Sequence, residues 1–179
     1  MSFLGRVYAF IVQIGSNFLE FLARAIVWRR KKGIITDMNR RYADGRNTVC
    51  DFYYRDSADK KPVLIYIHGG GWVSGTKGLR KFYCYEYVDN GYFVMNINYD
   101  YAPKKKFPTQ IRQIFKAVEY LYFHADRYNL DMSKIVVAGE SAGAYFSSYI
   151  TAITRKKELY DALGIDFRYK HCFYPAATV

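Results

Sequence analysis

Two glycine-bearing clusters hold the residue types in this sequence that could do chemistry. One is Gly139-Glu140-Ser141-Ala142-Gly143, which follows directly on the β-branched run Lys134-Ile135-Val136-Val137-Ala138 and leads into a helix-compatible stretch over 142–155. In a strand-to-helix turn of this kind the serine occupies a strained corner, and its Oγ stands clear of the backbone as a nucleophile must. Gly139 and Gly143 keep the flanks small where strand and helix come into contact. The following helix aims unpaired amides and the positive end of its dipole at the place where a negative oxygen would form.

The other cluster is His68-Gly69-Gly70-Gly71-Trp72, at the end of Pro62-Val63-Leu64-Ile65-Tyr66-Ile67. That apolar run reads as a buried parallel strand. Three consecutive glycines leave a loop without Cβ atoms, so its amides can close on a bound carbonyl. A serine attacking an acyl carbon needs such donors, each worth about 3 kcal/mol of transition-state stabilisation. A phosphate-binding loop would continue with Gly-Lys-Ser/Thr, whereas Trp72-Val73-Ser74 follows here.

Together these residues resemble the hormone-sensitive-lipase-like branch of the α/β-hydrolases. The first cluster matches that family's nucleophile elbow and the second its oxyanion loop. Asn98-Tyr99-Asp100-Tyr101-Ala102-Pro103 is similar to its Asp-Tyr-Arg-Leu-Ala-Pro segment, and Phe107-Pro108 to the Phe-Pro that opens the next helix. Asp100, Tyr101 and Glu140 depart from the commoner residues, none at a catalytic position. The resemblance implies a doubly wound, mostly parallel α/β sheet and a serine carboxylester hydrolase, either an esterase or lipase or a small-molecule deacetylase. It makes Ser141 the nucleophile and the amides of Gly70, Gly71 and Ala142 the oxyanion hole. His68 becomes a structural residue holding the glycine loop, and Trp72 a wall of the pocket. Gly69, Gly139, Glu140 and Gly143 complete the motifs. A small-molecule ester of short or medium acyl length is the implied substrate, with no cofactor.

In this fold the acid and then the base follow the serine along the chain. After Ser141 the sequence offers Glu158, Asp161, Asp166 and one histidine, His171. Residues 168–174 read as another strand, which puts Asp166 at the wrong edge of the sheet and His171 about 10 Å short of the top at ~3.3 Å per residue. The expectation is therefore that the triad acid and base are missing from this chain, which alone would be inactive. The same reading makes 169–174 an exposed apolar edge and an aggregation hazard. The rival reading is a non-catalytic ligand-binding relative on the same scaffold; an acid segment and a later histidine beyond residue 179 would favour the enzyme.

The composition, 51% hydrophobic with 27 basic against 16 acidic residues, suits a globular core under a basic surface of net charge +11. Basic runs at 29–32, 104–106 and 155–157 read as solvated loops and helix ends, and no nucleic-acid motif accompanies them. Cys50, Cys84 and Cys172 are far apart, which argues against a disulfide framework and suits a cytoplasmic location. No spacing of His, Cys, Asp or Glu suggests a metal.

Residues 1–33 differ from the hydrolase body expected over 34–179. Arg6, Gln13, Asn17, Glu20 and Arg24 fall within an arc of about 60° on a helix. Leu4, Val7, Phe10, Ile11, Ile14, Phe18, Phe21, Leu22, Ile26 and Trp28 supply the wide apolar remainder, followed by Arg29-Arg30-Lys31-Lys32. Charges inside the stretch speak against a signal peptide and a membrane span. Two readings stay open: part of a cap over the site, or peripheral membrane contact through residues 1–32. Elsewhere the pattern predicts strands at 34–42, 47–54, 62–67, 92–98 and 134–138, and helices at 76–90, 108–128 and 142–157.

Overall fold

The structure, a computed structural model, describes residues 3–27 and 31–179. One sheet is built from β1 (Ile35–Arg41), β2 (Val49–Tyr54), β3 (Lys61–Ile67), β4 (Phe93–Ile97), β5 (Leu130–Gly139) and β6 (Ala177–Thr178). Their spatial order is β1-β2-β4-β3-β5-β6. β1 pairs with β2 and β2 with β4 antiparallel, while β4, β3, β5 and β6 run parallel. The mostly parallel α/β sheet expected from alternating strands and helices is therefore present.

Period-two alternation divides each central strand between two cores. Val63, Ile65 and Ile67 of β3, Phe93 and Met95 of β4, and Val137 of β5 face one side. There they meet α3 (Thr109–Phe123) through Ile111, Ile114, Phe115, Val118 and Leu121, and α4 (Ala142–Arg155) through Phe146, Ile150 and Ile153. Leu64, Tyr66, Val94 and Ala138 face the other side, where α2 (Lys81–Asp89) brings Cys84, Tyr85 and Val88. Because parallel strands are covered on both faces, their sequences are continuously apolar, as 62–67 is.

The predicted helix 76–90 divides into a 3-10 turn at Lys77–Arg80 and α2. That predicted at 108–128 ends with α3, and the chain reverses through Asp126–Tyr128 to Asn129 at φ 51°. The larger correction concerns 168–174, which is not a strand. Beyond a short α5 (Glu158–Ala162) the backbone turns, and the amides of Cys172 and Phe173 both donate to the Tyr169 carbonyl, at 3.1 and 3.0 Å. Phe167 and Phe173 are buried against Phe115, with ring centroids 5.1 and 6.2 Å away, and Tyr169 stacks on Tyr122 at 4.2 Å. Helix packing claims these aromatic side chains, and β6 takes the place beside β5 instead, Ala177 opposite Val136. The expected aggregation-prone strand edge at 169–174 is absent, since the segment is a turn with Phe173 buried and Tyr169 stacked on Tyr122, although Tyr174 stays exposed.

At the N-terminus α1 (Phe3–Val27) is helical, as the polar arc implies. Among the described residues no helix is long and apolar enough to cross a membrane. Trp28, Arg29 and Arg30 lie outside the described residues, as do the side chains of Asn17, Glu20, Arg24 and Ile26.

Candidate active site

Ser141 leaves the end of β5 and caps α4 with φ 51° and ψ −117°, a conformation that non-glycine residues rarely adopt. Hydrogen bonds from Gly143 N to Glu140 O (2.7 Å) and from Tyr145 N to Ser141 O (3.0 Å) hold the corner. The flanks have no room for a side chain. A Cβ on Gly143 would stand 2.0 Å from the Ile67 carbonyl oxygen, and one on Gly139 would stand 2.5 Å from the Gly143 carbonyl carbon. The end of β3 and the start of α4 thus touch backbone to backbone, and the Ser141 side chain is left exposed.

The loop after β3 lies directly against this corner. A Cβ on Gly69 would come within 2.8 Å of the Glu140 carbonyl and 3.2 Å of Ser141 Cβ. Gly70, Gly71 and Trp72 follow with φ of 128°, 59° and 64°. The loop closes on itself: Val73 N, Ser74 N and Ser74 Oγ all donate to the Gly70 carbonyl, at 3.2, 3.0 and 2.9 Å. Among the described residues, the amides of Gly70, Gly71 and Ala142 donate to no protein acceptor. Such amides are available to an oxygen of a bound molecule.

His68 is buried beneath the loop. Its Nδ1 hydrogen-bonds the Gly69 carbonyl at 2.6 Å, and its ring stacks on Tyr99 at 4.4 Å. The Tyr99 hydroxyl donates back to the His68 carbonyl at 2.8 Å. Burial pushes that hydroxyl well above the ordinary tyrosine range, so it stays a neutral donor. Glu140 turns away from Ser141 to Arg80, which donates to its carboxylate through Nε (2.6 Å) and Nη2. Asp100, a departure from the family pattern, is buried and accepts from Asn47 N (2.9 Å) and Gln113 Nε2 (2.9 Å), tying the β1–β2 connection to α3.

Trp72 opens a row of exposed rings that its sequence position alone does not reveal. It meets Tyr145 edge-on at 5.6 Å, Tyr145 meets Tyr149 at 4.7 Å, and Tyr149 meets Phe107 at 5.7 Å. Tyr145 and Tyr149 follow Ser141 at four-residue intervals, so the helical repeat stacks them on the same side of α4. That spacing was available in the sequence. The arrival of Phe107 from another loop was not.

The remaining histidines lie elsewhere. His124 caps the far end of α3, its Nδ1 2.8 Å from the Tyr120 carbonyl. His171 lies 3.5 Å from Lys157, past the end of α4, a helix about 21 Å long at ~1.5 Å per residue. The Asp166 side chain is exposed, 3.9 Å from Lys116. No strand runs through 168–174 to carry His171 or to place Asp166 at its start, yet the length of α4 still separates His171 from Ser141. Among the described residues no group of three His, Cys, Asp or Glu could hold a metal ion.

The loop geometry separates its glycines in a testable way. Gly70→Ala would drive a Cβ to 2.1 Å from the Ser74 carbonyl, whereas a Cβ at Gly71 meets nothing within 4 Å. Gly70→Ala is expected to cost about 2–5 kcal/mol through clash and strain together. Gly71→Ala should cost only the ~1–2 kcal/mol of a left-handed backbone. Thermal unfolding of the two variants checks this, and equal destabilisation would contradict the loop conformation.

The strand order, the strained serine corner on β5 and the glycine loop on β3 are those of an α/β-hydrolase. The sequence profile of the BD-FAE family matches residues 50–172, and the chain belongs to that family. It is 38% identical over 125 residues to a protein of Acanthamoeba polyphaga mimivirus named as an alpha/beta hydrolase, covering 69% of this chain and 35% of that one. It is 30% identical over 120 residues to an esterase of Gibberella moniliformis, covering 64% of this chain and 37% of that one. The tributyrin-phosphonate-inhibited esterase B of Lactobacillus rhamnosis superposes with a TM-score of 0.81 at 24% identity, over 93% of this chain and 55% of that one. The chain spans about a third of the length of these curated relatives.

Proposed function

We propose that this protein is a serine carboxylester hydrolase in which Ser141 is the nucleophile and the amides of Gly70, Gly71 and Ala142 form the oxyanion hole. The observation that carries the reading is Ser141 itself, exposed at φ 51° against a glycine loop with unsatisfied amides. The esterase names of its relatives support the same class. In the reaction Ser141 Oγ bonds to the acyl carbon while a general base takes its proton. The carbonyl oxygen becomes an oxyanion held by the three amides. Collapse expels the alcohol, protonated by the same base, and water then releases the acid by the reverse sequence. None of His68, His124 and His171 stands where it could be that base, so the base and its acid partner are proposed to come from outside residues 1–179. Residues 1–179 alone would then form the nucleophile and oxyanion half of the machine.

Trp72, Tyr145, Tyr149 and Phe107 favour an apolar acyl or alcohol group lying along α4. A short or medium acyl ester fits that wall, in keeping with the tributyrin phosphonate held by esterase B. A second reading is a ligand-binding relative without catalysis, since the unpaired amides of the glycine loop would hold a carbonyl oxygen whether or not Ser141 reacts. A fluorophosphonate probe separates the two in the full-length protein. Covalent labelling on the peptide containing Ser141, lost in Ser141→Ala, is expected. No labelling, with retained affinity for a non-hydrolysable ester analogue, would establish the binding protein instead.

A further inference from the structure

Helix α1 is mounted with its apolar side outward. Successive helical residues turn by about 100°, so Gly5, Ala9, Val12 and Gln13 share one side. Ala9 is 7% exposed and the other three are half-buried. The opposite side carries Phe3, Leu4, Phe10, Ile11, Ile14 and Phe18, each between 54% and 80% exposed. A helix that serves only its own domain turns the wide apolar face inward. Here a small-residue and polar stripe makes the contact, and the apolar face covers nothing among the described residues. An exposed apolar surface of that extent marks an interaction site.

The charge around the helix points to its partner. Gln13 lines a cleft of about 270 Å³ together with Arg46, Lys104 and Lys105, and Lys106 is exposed beside them. Asp100, also in the cleft lining, is buried and satisfied by Asn47 and Gln113. Arg6 is exposed on α1 itself, and the whole chain carries a net charge of +11. A second copy pressed against this face would bring together two bodies of the same sign. A negatively charged lipid surface would take up the Phe and Ile side chains and the flanking cations together.

We infer that α1 lies in the interface of an anionic membrane, its outward face among the acyl chains and Arg46, Lys104 and Lys105 at the headgroups. The helix is not a span; it lies flat, about 37 Å long at ~1.5 Å per residue. The loops after β3 and β4 and the β1–β2 connection share the edge of the sheet that α1 crosses. Membrane contact would therefore turn the Ser141 edge toward the lipid. The inference stands apart from the esterase reading, because neither the apolar face nor the basic groups take part in the chemistry.

The experiment is sedimentation of the full-length protein with vesicles of mixed phosphatidylglycerol and phosphatidylcholine, or of phosphatidylcholine alone. Binding to the anionic vesicles is expected, with loss at raised salt and on phosphatidylcholine. Phe10→Asp with Phe18→Asp removes two exposed rings without touching the core, and should weaken partitioning by about tenfold per ring or more at an unchanged melting temperature. Lys104→Glu with Lys105→Glu should weaken it while reducing its salt dependence. No binding to anionic vesicles, or binding indifferent to the Phe10 and Phe18 substitutions, overturns the inference. So does binding by residues 1–179 that the full-length protein lacks, which would show that a later segment covers the face. A dimer broken by Phe10→Asp without any vesicle binding would assign the face to a second copy.

Discussion

Ser141→Ala in the full-length protein is expected to lower kcat by about 10⁴–10⁶ with little change in KM. The side chain is exposed and stands at a corner fixed by its neighbours' backbones, so losing Oγ removes the proposed nucleophile and almost nothing else. Alanine inherits the φ of 51° and the strain with it, which keeps the stability within about 0.5 kcal/mol of the parent. Turnover surviving in the variant would come from the Gly70, Gly71 and Ala142 amides, which can still stabilise an oxyanion when water attacks directly. Ser141→Gly gives the counterpart on stability. Glycine adopts the corner without strain, so this variant should be inactive yet more stable by about 1 kcal/mol or more. Steady-state hydrolysis of a short-chain p-nitrophenyl ester and thermal unfolding together test the pair. Activity within tenfold of the parent in Ser141→Ala would remove the serine from the mechanism.

That corner was legible in the sequence because three independent signals coincide there: a β-branched run, glycines at both flanks of the serine, and a helix-compatible continuation. The strands 62–67 and 92–98 were legible for a related reason, since strands covered on both faces are apolar at every position. Residues 168–174 differ from the expectation because Tyr169, Cys172, Phe173 and Tyr174 give them the apolar and aromatic content of a strand. Such content reports which side chains want burial, and a turn packed on α3 and α5 satisfies it as well as a strand. The N-terminal helix shows a different limit. Its polar arc is readable from spacing, but spacing says nothing of which face meets the protein, and the domain takes the side that carries Ala9. Tyr145 and Tyr149 could have been placed beside Ser141 by counting along the helix. Phe107 could not, because a loop from β4 delivers it.

Lys77 and Asp51 illustrate what no local pattern discloses, and they carry the largest expected effect on stability. Each reads in the sequence as an ordinary surface charge, yet Lys77 Nζ lies 2.8 Å from Asp51 Oδ1 with side chains only 10% and 2% exposed. Around the pair, Asn39 N and the Tyr53 hydroxyl donate to Asp51, both at 2.8 Å, and Lys77 Nζ also donates to Asn39 Oδ1 at 2.9 Å. The Lys77 backbone joins the same network: its amide donates to Asn98 Oδ1 at 2.6 Å and its carbonyl accepts from Asn96 Nδ2 at 2.7 Å. The network therefore pins the downstream end of the glycine loop to β2 and β4. Asp51→Asn leaves the Lys77 ammonium buried without a counter-charge, and an amide cannot accept from every donor that the carboxylate now satisfies. The expected cost is about 3–5 kcal/mol, most of it the desolvation of the orphaned charge rather than the lost attraction. Lys77→Met added to Asp51→Asn removes that charge while keeping an unbranched chain in the space. The double variant should therefore be more stable than Asp51→Asn alone, a sign that no sum of independent losses can produce. Denaturant midpoints for the parent, the two single variants and the double variant close the cycle. A cost under about 1 kcal/mol for Asp51→Asn, or a double variant weaker than the single, would mean that water reaches the pair and the network does not hold the loop.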